Sequence, residues 1–528
     1  MIALALNIPD QNEFDSLLQD AIQDRVASRI AAQDPTLWGP AAEPEASVRL
    51  SWTQLATASR PLVAEIAELR EQLAAQGLDH VVLCGMGGSS LAPEVICDHA
   101  GVPLTVLDSS QPDMVRSAIT DQLDRTVVVV SSKSGGTVET DSQRRAYEQA
   151  FRDAGIDPAG RIVVVTDPGS PLDEEAAGAG YRVFRADAHV GGRYSALTAF
   201  GLVPSGLAGA DIGALLDSAE AASAALFADD PDNPALRLGV LMGAANRHQV
   251  DKLVIVDQTR HGVGDWIEQL VAESTGKHGR GVLPVVVPFE NAVNFNPSTA
   301  DSILVSVGGD SAPEAQSGYA AAIESDLGAQ MLLWEVAVVV AGRIIGINPF
   351  DQPDVESAKA AARELLSGGG EPPAADATDD GIDIFGEGTT VDGAVRSLLD
   401  QIDLQHGYLA VQVYLDRVAH ADFAAVRETL AERVGRPVTF GWAPRFLHST
   451  GQYHKGGTPN GVFLQITGDP AEDLVVPGRD FTFGSFIDSQ AAGDAAVLRE
   501  HGRPVLRLHL CDVPRGLETL RAVLGTGR

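Results

Sequence analysis

The stretch SSKSGGTVET, residues 131–140, follows the apolar run TVVVV and concentrates hydroxyls, glycines and a lysine in one turn. Lysine is scarce: the chain has five in 528 residues, Lys133, Lys252, Lys277, Lys359 and Lys455. A strand ending at Val130 would deliver Ser132, Lys133, Ser134 and Thr137 to the carboxyl edge of a parallel sheet, where open α/β sheets bind ligands. With the N–H groups exposed by Gly135 and Gly136 and a helix start behind them, these side chains form an anion cradle, and phosphate suits several convergent donors. The competing reading is an ordinary Ser/Gly turn that caps the helix. A second turn, CGMGGSS at 84–90, offers Gly87, Gly88 and Ser89 after an earlier apolar run. Neither is a Walker A loop, because Lys133 precedes Ser134 and the glycines.

The elements that must position these turns are short apolar runs separated by helix-compatible segments. VVLCG (81–85), LTVLDSS (104–110), TVVVVSS (126–132) and RIVVVTD (161–167) form one series. KLVIVDQ (252–258), VLPVVVPF (282–289) and SILVSVGG (302–309) form another, followed by a helix candidate near 326–342. Runs apolar on both faces read as central parallel strands. YLAVQVYL (408–415), PVTFGW, GVFLQIT and PVLRLHL predict a further α/β unit. The fold class is therefore α/β: two tandem doubly wound parallel-sheet domains plus a smaller C-terminal α/β domain. The expected divisions are an N-terminal helical segment at 1–75 packed on the first domain, domains at 76–225 and 226–366, a Gly/Pro/Asp-rich linker at 367–381, and a C-terminal domain at 382–528.

The formal charge of −34 disfavours nucleic acid and anionic membranes as partners. Three cysteines, Cys84, Cys97 and Cys511, follow no metal-ligand spacing and read as buried small hydrophobes in a reducing compartment. MIALALNIPDQ is a poor signal peptide, and MLLWEVAVVVAGRIIG at 331–346, broken by Glu335 and Arg343, reads as a buried helix rather than a span. A cytoplasmic location is expected.

GMGGSSLAPEV, SSKSGGTVET, VGGRYSALTAFGL (190–202), WIEQLVAESTGK (266–277) and NPFDQPDVESAK (348–359) occur in the order and rough spacing seen in glucose-6-phosphate isomerases, and the chain resembles that family over roughly residues 75–365. SKSGGTVE also fits the sugar-isomerase (SIS) pattern for phosphosugar binding. The resemblance implies two SIS-like domains, a small sugar phosphate as the partner, no metal or other cofactor, a homodimer, and isomerisation of glucose 6-phosphate and fructose 6-phosphate through a cis-enediol. It makes Glu273 the base and places Lys359 near the sugar ring oxygen; read without it, each is equally a solvated helix residue. Arg193, after two glycines, has the fixed charge to hold an enediolate, with a surface loop arginine as the alternative. Gly88, Ser89, Ser132, Lys133, Ser134 and Thr137 would hold the phosphate.

The family's usual histidine, in a GTNGQH-like motif, is missing: none occurs between His278 and His406. His454 in GQYHKGG is the first replacement for the ring-opening acid, His448 the second and His278 the third, each with a structural histidine as the alternative. The tail HSTGQYHKGGTPNGVFLQIT resembles the isomerase part of fusions with transaldolase. Thr275, where the family usually has Asn, and Gly135–Gly136 leave selectivity between glucose and mannose phosphates open. Two other classes compete: a noncatalytic phosphosugar sensor that lost ring opening, and a Schiff-base enzyme using Lys455.

Overall fold

A run such as Val127–Val130, apolar at every position, is stable only with a hydrophobic layer on each side. All four residues are at most 1% exposed in the computed structural model, which describes residues 2–354, 360–363, 366 and 374–525. Val127 and Val129 face one core while Val128 and Val130 face another. This is how strand β4 comes to lie centrally in its sheet.

In chain order, β1 (Ala3–Asn7) precedes five strands of a first sheet: β2 (His80–Gly85), β3 (Thr105–Leu107), β4 (Thr126–Ser131), β5 (Ile162–Thr166) and β6 (Arg182–Arg185). Their order is β3-β2-β4-β5-β6 with every pair parallel. A second sheet holds β7 (Lys252–Asp257), β8 (Leu283–Val287), β9 (Ser302–Val307) and β10 (Ala320–Glu324) in the order β1-β10-β9-β7-β8. The helix Arg60–Ala74 packs on the first domain's Ala199–Ala208 as expected, but the start of the N-terminal segment differs. The alternating stretch Ala3–Asn7 is an edge strand, antiparallel to β10, and it crosses to the second sheet instead of staying with the first. Trp38 Nε1 donates to the Val339 carbonyl at 2.8 Å, again in the second domain.

The apolar helix observed at Leu327–Ile345 packs against Ile212–Leu226 and Pro234–Arg247. Among the described helices it alone is long and apolar enough to cross a membrane, but 89% of that window is buried inside the protein, as in a core helix.

The third sheet contains β11 (Ala377–Asp379), β12 (Ile382–Phe385), β13 (Tyr408–Tyr414), β14 (Val438–Trp442), β15 (Gly461–Gly468) and β16 (Val505–Leu510), ordered β11-β12-β16-β15-β13-β14. β11 lies within the expected linker, so the C-terminal unit begins before 382; the linker's residues 367–373 fall outside the described residues. Several contacts dock this domain, two of them at opposite sheets. Tyr408, Tyr453 and Phe463 join Val254 and Val256 of β7 in one core, and Arg417 and Arg445 both reach Asp108 and Glu94 beyond the first sheet. The docking brings C-terminal residues to the mouth of the first sheet.

Candidate active site

The turns after β2 and β4 leave the carboxyl edge of the first sheet and line a cleft of about 720 Å³. Gly88, Ser89, Ser132, Lys133, Ser134 and Thr137 all lie on its wall. Thr137 is the N-cap of the helix Val138–Asp153 yet makes no side-chain cap bond. Its hydroxyl instead accepts from Ser132 Oγ at 3.2 Å, so the turn is not simply a capping motif. Ser131, one residue earlier, also lines the cleft with a buried hydroxyl that has no partner among the described residues.

Arg193 and Glu273 line the same cleft. Gly192 and Arg193 form a short 3₁₀ turn pressed against Gly88, where a Cβ would lie 1.9 Å from the Gly192 carbonyl oxygen. Only glycine allows that approach. Arg193 is 2% exposed. Its Nε donates to Ser274 Oγ at 2.9 Å, its second terminal nitrogen to the Pro349 carbonyl at 2.7 Å, and its first faces Glu273 Oε2 at 3.3 Å. Three anchors fix a charge that cannot titrate away.

Glu273 lies near the end of the helix Val263–Thr275, 5% exposed. Burial raises its pKa; the Arg193 charge and the Gln269 amide pull the other way. The result is a carboxylate more basic than an exposed one, as a proton-abstracting group requires. Gln269 sits one helical turn earlier on the same face. Its amide is 3.5 Å from Glu273 Oε1 and donates to the His448 carbonyl at 2.8 Å. The spacing within WIEQLVAE was the signal that could have identified it.

The histidines are resolved by packing. His448 lines the cleft, and its Nε2 meets Glu139 Oε1 at 2.9 Å. Glu139 belongs to TVET of the cradle turn and also accepts from Gln490 at 2.7 Å. His454, the first sequence choice, is not a cleft residue. Its Nδ1 is 3.0 Å from the Tyr408 hydroxyl, its ring stacks on Tyr408 and meets Phe463 edge-on, and burial pushes its pKa down to about 3. It is a neutral core histidine. His278 is exposed in a turn away from the cleft lining.

The remaining lysines divide. Lys455 is buried against Asp494 Oδ1 at 2.5 Å and does not line the cleft, which removes the structural basis for Schiff-base chemistry there. Lys252, which looks ordinary in the sequence, is fully buried between Asp251 and Asp301. Lys277 donates to the Asn348 carbonyl at 2.5 Å and pairs with Asp351 at 2.8 Å, securing the loop whose residues Phe350–Pro353 line the cleft. Burial, then the Arg193 charge, push its ammonium down to about 7. Lys359 lies outside the described residues. Thr275 turns away from the cleft, its hydroxyl accepting from the Val282 N–H at 2.9 Å, so it does not touch a ligand there.

An anion cradle at a sheet edge, sharing its cleft with a buried carboxylate and a fixed guanidinium, defines an aldose–ketose isomerase of phosphosugars on an α/β fold. Comparison with known proteins agrees. A family model described as phosphoglucose isomerase matches residues 66–283, a span that contains the cradle, Arg193 and Glu273. A probable glucose-6-phosphate isomerase of Natronomonas pharaonis is 30% identical over 339 residues, 55% of this chain and 79% of that protein. A glucose-6-phosphate isomerase of Citrifermentans bemidjiense is 30% identical over 358 residues, 55% of this chain and 66% of that one. Among solved structures, a hypothetical protein of Thermus thermophilus matches with a TM-score of 0.58 and 25% identity, covering 69% of this chain and 100% of that chain. A glucose-6-phosphate isomerase of Chlamydia trachomatis shares the fold, with a TM-score of 0.57 at 17% identity over 70% of this chain and 89% of its own. The chain belongs to the phosphoglucose isomerase family.

Proposed function

We propose that this chain interconverts glucose 6-phosphate and fructose 6-phosphate through a cis-enediol, with the cradle residues holding the phosphate and Glu273 moving the proton. The observation that carries the reading is the convergence in one cleft of the cradle, a buried carboxylate with a raised pKa, and an immobilised guanidinium.

The steps follow from the chemistry. His448, oriented by Glu139, gives a proton to the ring oxygen as a solvent water takes the proton of the C1 hydroxyl, giving the open aldose. Glu273 takes the proton from C2 while the C1 carbonyl electrons move onto oxygen, and Arg193 holds the negative charge that develops there. The C1 oxyanion then takes up the proton of the C2 hydroxyl, the C2 oxygen becomes the carbonyl, and Glu273 returns its proton to C1. Protons and electrons balance without an external oxidant. The sensor reading was motivated by a missing ring-opening acid; His448 in the cleft supplies a candidate and removes that motive.

Deuterium oxide distinguishes the proton-transfer route from an internal hydride shift. Deuterium is expected at C1 of the ketose or C2 of the aldose in the fraction of turnovers in which Glu273 exchanges with solvent before returning its proton, so label should accumulate as substrate is cycled repeatedly; prolonged cycling with no incorporation at all would contradict the proton-transfer route. Homodimer formation, which the family resemblance implies, and a cytoplasmic location complete the proposal. Light scattering should give twice the 55.3 kDa chain mass.

A further inference from the structure

Lys133, the cation of the cradle turn, is already engaged. Its Nζ meets Asp167 Oδ2 at 2.6 Å and donates to the Ala188 carbonyl at 3.1 Å. Asp167 follows β5 directly and lines the same cleft, and its other oxygen, Oδ1, is buried without a hydrogen-bond partner among the described residues. The backbone locks the arrangement: the Asp167 N–H donates to the Lys133 carbonyl at 3.2 Å and the Thr166 hydroxyl to the Ser132 carbonyl at 2.7 Å. At the same wall Arg49 donates to the same Ala188 carbonyl at 3.1 Å and pairs with Glu45 at 2.7 Å. Both cations beside the cradle are therefore matched by acids, an unusual provision for a site that must take a dianion, since a carboxylate next to bound phosphate opposes it.

Resting on the cradle reading above, we propose that Asp167 is a specificity-determining residue that holds Lys133 in place of a phosphate, so that bare dianions compete poorly and a phosphate tethered to a sugar, with its additional contacts, displaces it. The ammonium is then shared between Asp167 and the incoming phosphate, and the second negative charge draws a proton onto Asp167. The charged groups around this carboxylate are Lys133 and Arg49, which favour its ionised form, and Asp187, which opposes it; burial outweighs the cations and raises its pKa.

The test is calorimetric binding of sulfate, a dianion that does not titrate near neutrality, to the full-length wild type, to Asp167→Asn and to Ser134→Ala/Thr137→Val. Asp167→Asn is expected to bind sulfate about tenfold more tightly, the order set by removing one like charge beside a half-buried anion site. Wild type at about pH 6, between the carboxylate and histidine ranges, is expected to take up protons on binding, read from heats in buffers of different ionisation enthalpy, and Asp167→Asn to take up fewer. Equal or weaker sulfate binding by Asp167→Asn would overturn the proposal and leave Asp167 a positioning residue for Lys133. Absence of proton uptake by wild type would overturn it independently, should the variant fail to fold. Sulfate binding that the Ser134/Thr137 variant leaves unchanged would instead remove the cradle reading itself, and this inference with it.

Discussion

Substitution of Gly88 by alanine is the most local test of how the site is held together. The added Cβ would lie 1.9 Å from the Gly192 carbonyl oxygen and 3.2 Å from the Arg193 nitrogen, and real Cβ atoms essentially never approach closer than 3.0 Å. Both obstacles are backbone, so no side chain can swing aside. The two turns must separate by at least about 1 Å, and they carry the cradle on one side and Arg193 on the other. A displacement of that size between reacting groups costs about 100-fold in rate, and the overpacking itself costs about 1–3 kcal/mol of stability. A coupled assay of fructose 6-phosphate turnover, with thermal unfolding alongside, reads both. Gly178→Ala is the control. Gly178 lies in the helix Pro171–Ala179, its added Cβ meets nothing within 4 Å, and it is not a cleft residue, so wild-type turnover is expected. Near-wild-type kcat/KM in Gly88→Ala would refute the claim that close approach of these turns sets the catalytic geometry.

Other expectations follow from the same geometry. His448→Asn should lower kcat about 100-fold or more, as loss of a general acid does, whereas His454→Gln should chiefly lower the unfolding temperature, by leaving the buried Tyr408 hydroxyl poorly partnered at a cost of about 1–3 kcal/mol; the reverse pattern would exchange their roles. The acid limb of kcat/KM should lie above the ordinary carboxylate range, because the active form needs ionised Glu273 and burial raises its pKa; activity falls as pH drops through that raised value. Borohydride reduction in the presence of substrate should trap no adduct at Lys455, which mass spectrometry can check. Glu335, in the helix Leu327–Ile345, has two buried carboxylate oxygens without partners among the described residues, and burial raises its pKa well above the usual value. The folded state therefore holds this proton more tightly than the unfolded chain, so its contribution to stability is complete below the unfolded pKa and is lost as pH rises through the folded one. Glu335→Gln should flatten that decline in denaturant titrations across pH.

The parts of the site legible in the sequence are those whose chemistry lies in one contiguous stretch beside a strand. Ser132, Lys133, Ser134 and Thr137 follow TVVVV directly, and Arg193 and Glu273 sit inside motifs that name their neighbours. What was not legible depends on partners far along the chain. Lys133 meets Asp167, 34 residues on, and Lys252 is buried between Asp251 and Asp301. His448 and His454 share one stretch, and composition cannot rank them. The register of the short helices Arg445–His448 and Gly451–Gly456 decides, by turning His454 into the aromatic packing of Tyr408 and Phe463 and leaving His448 at the cleft. The strand character of Ala3–Asn7 likewise emerges only from its pairing with β10. The helix Phe483–Glu500, whose Gln490 reaches Glu139, bears on the site only because the C-terminal domain docks there.

The central claim is that Glu273 moves the proton. Purified wild type and Glu273→Gln, assayed for conversion of fructose 6-phosphate to glucose 6-phosphate, test it most directly. Robust wild-type turnover is expected, with a loss of about 100- to 10,000-fold in kcat for the variant and sugar-phosphate binding retained. Turnover by Glu273→Gln comparable to wild type would contradict it.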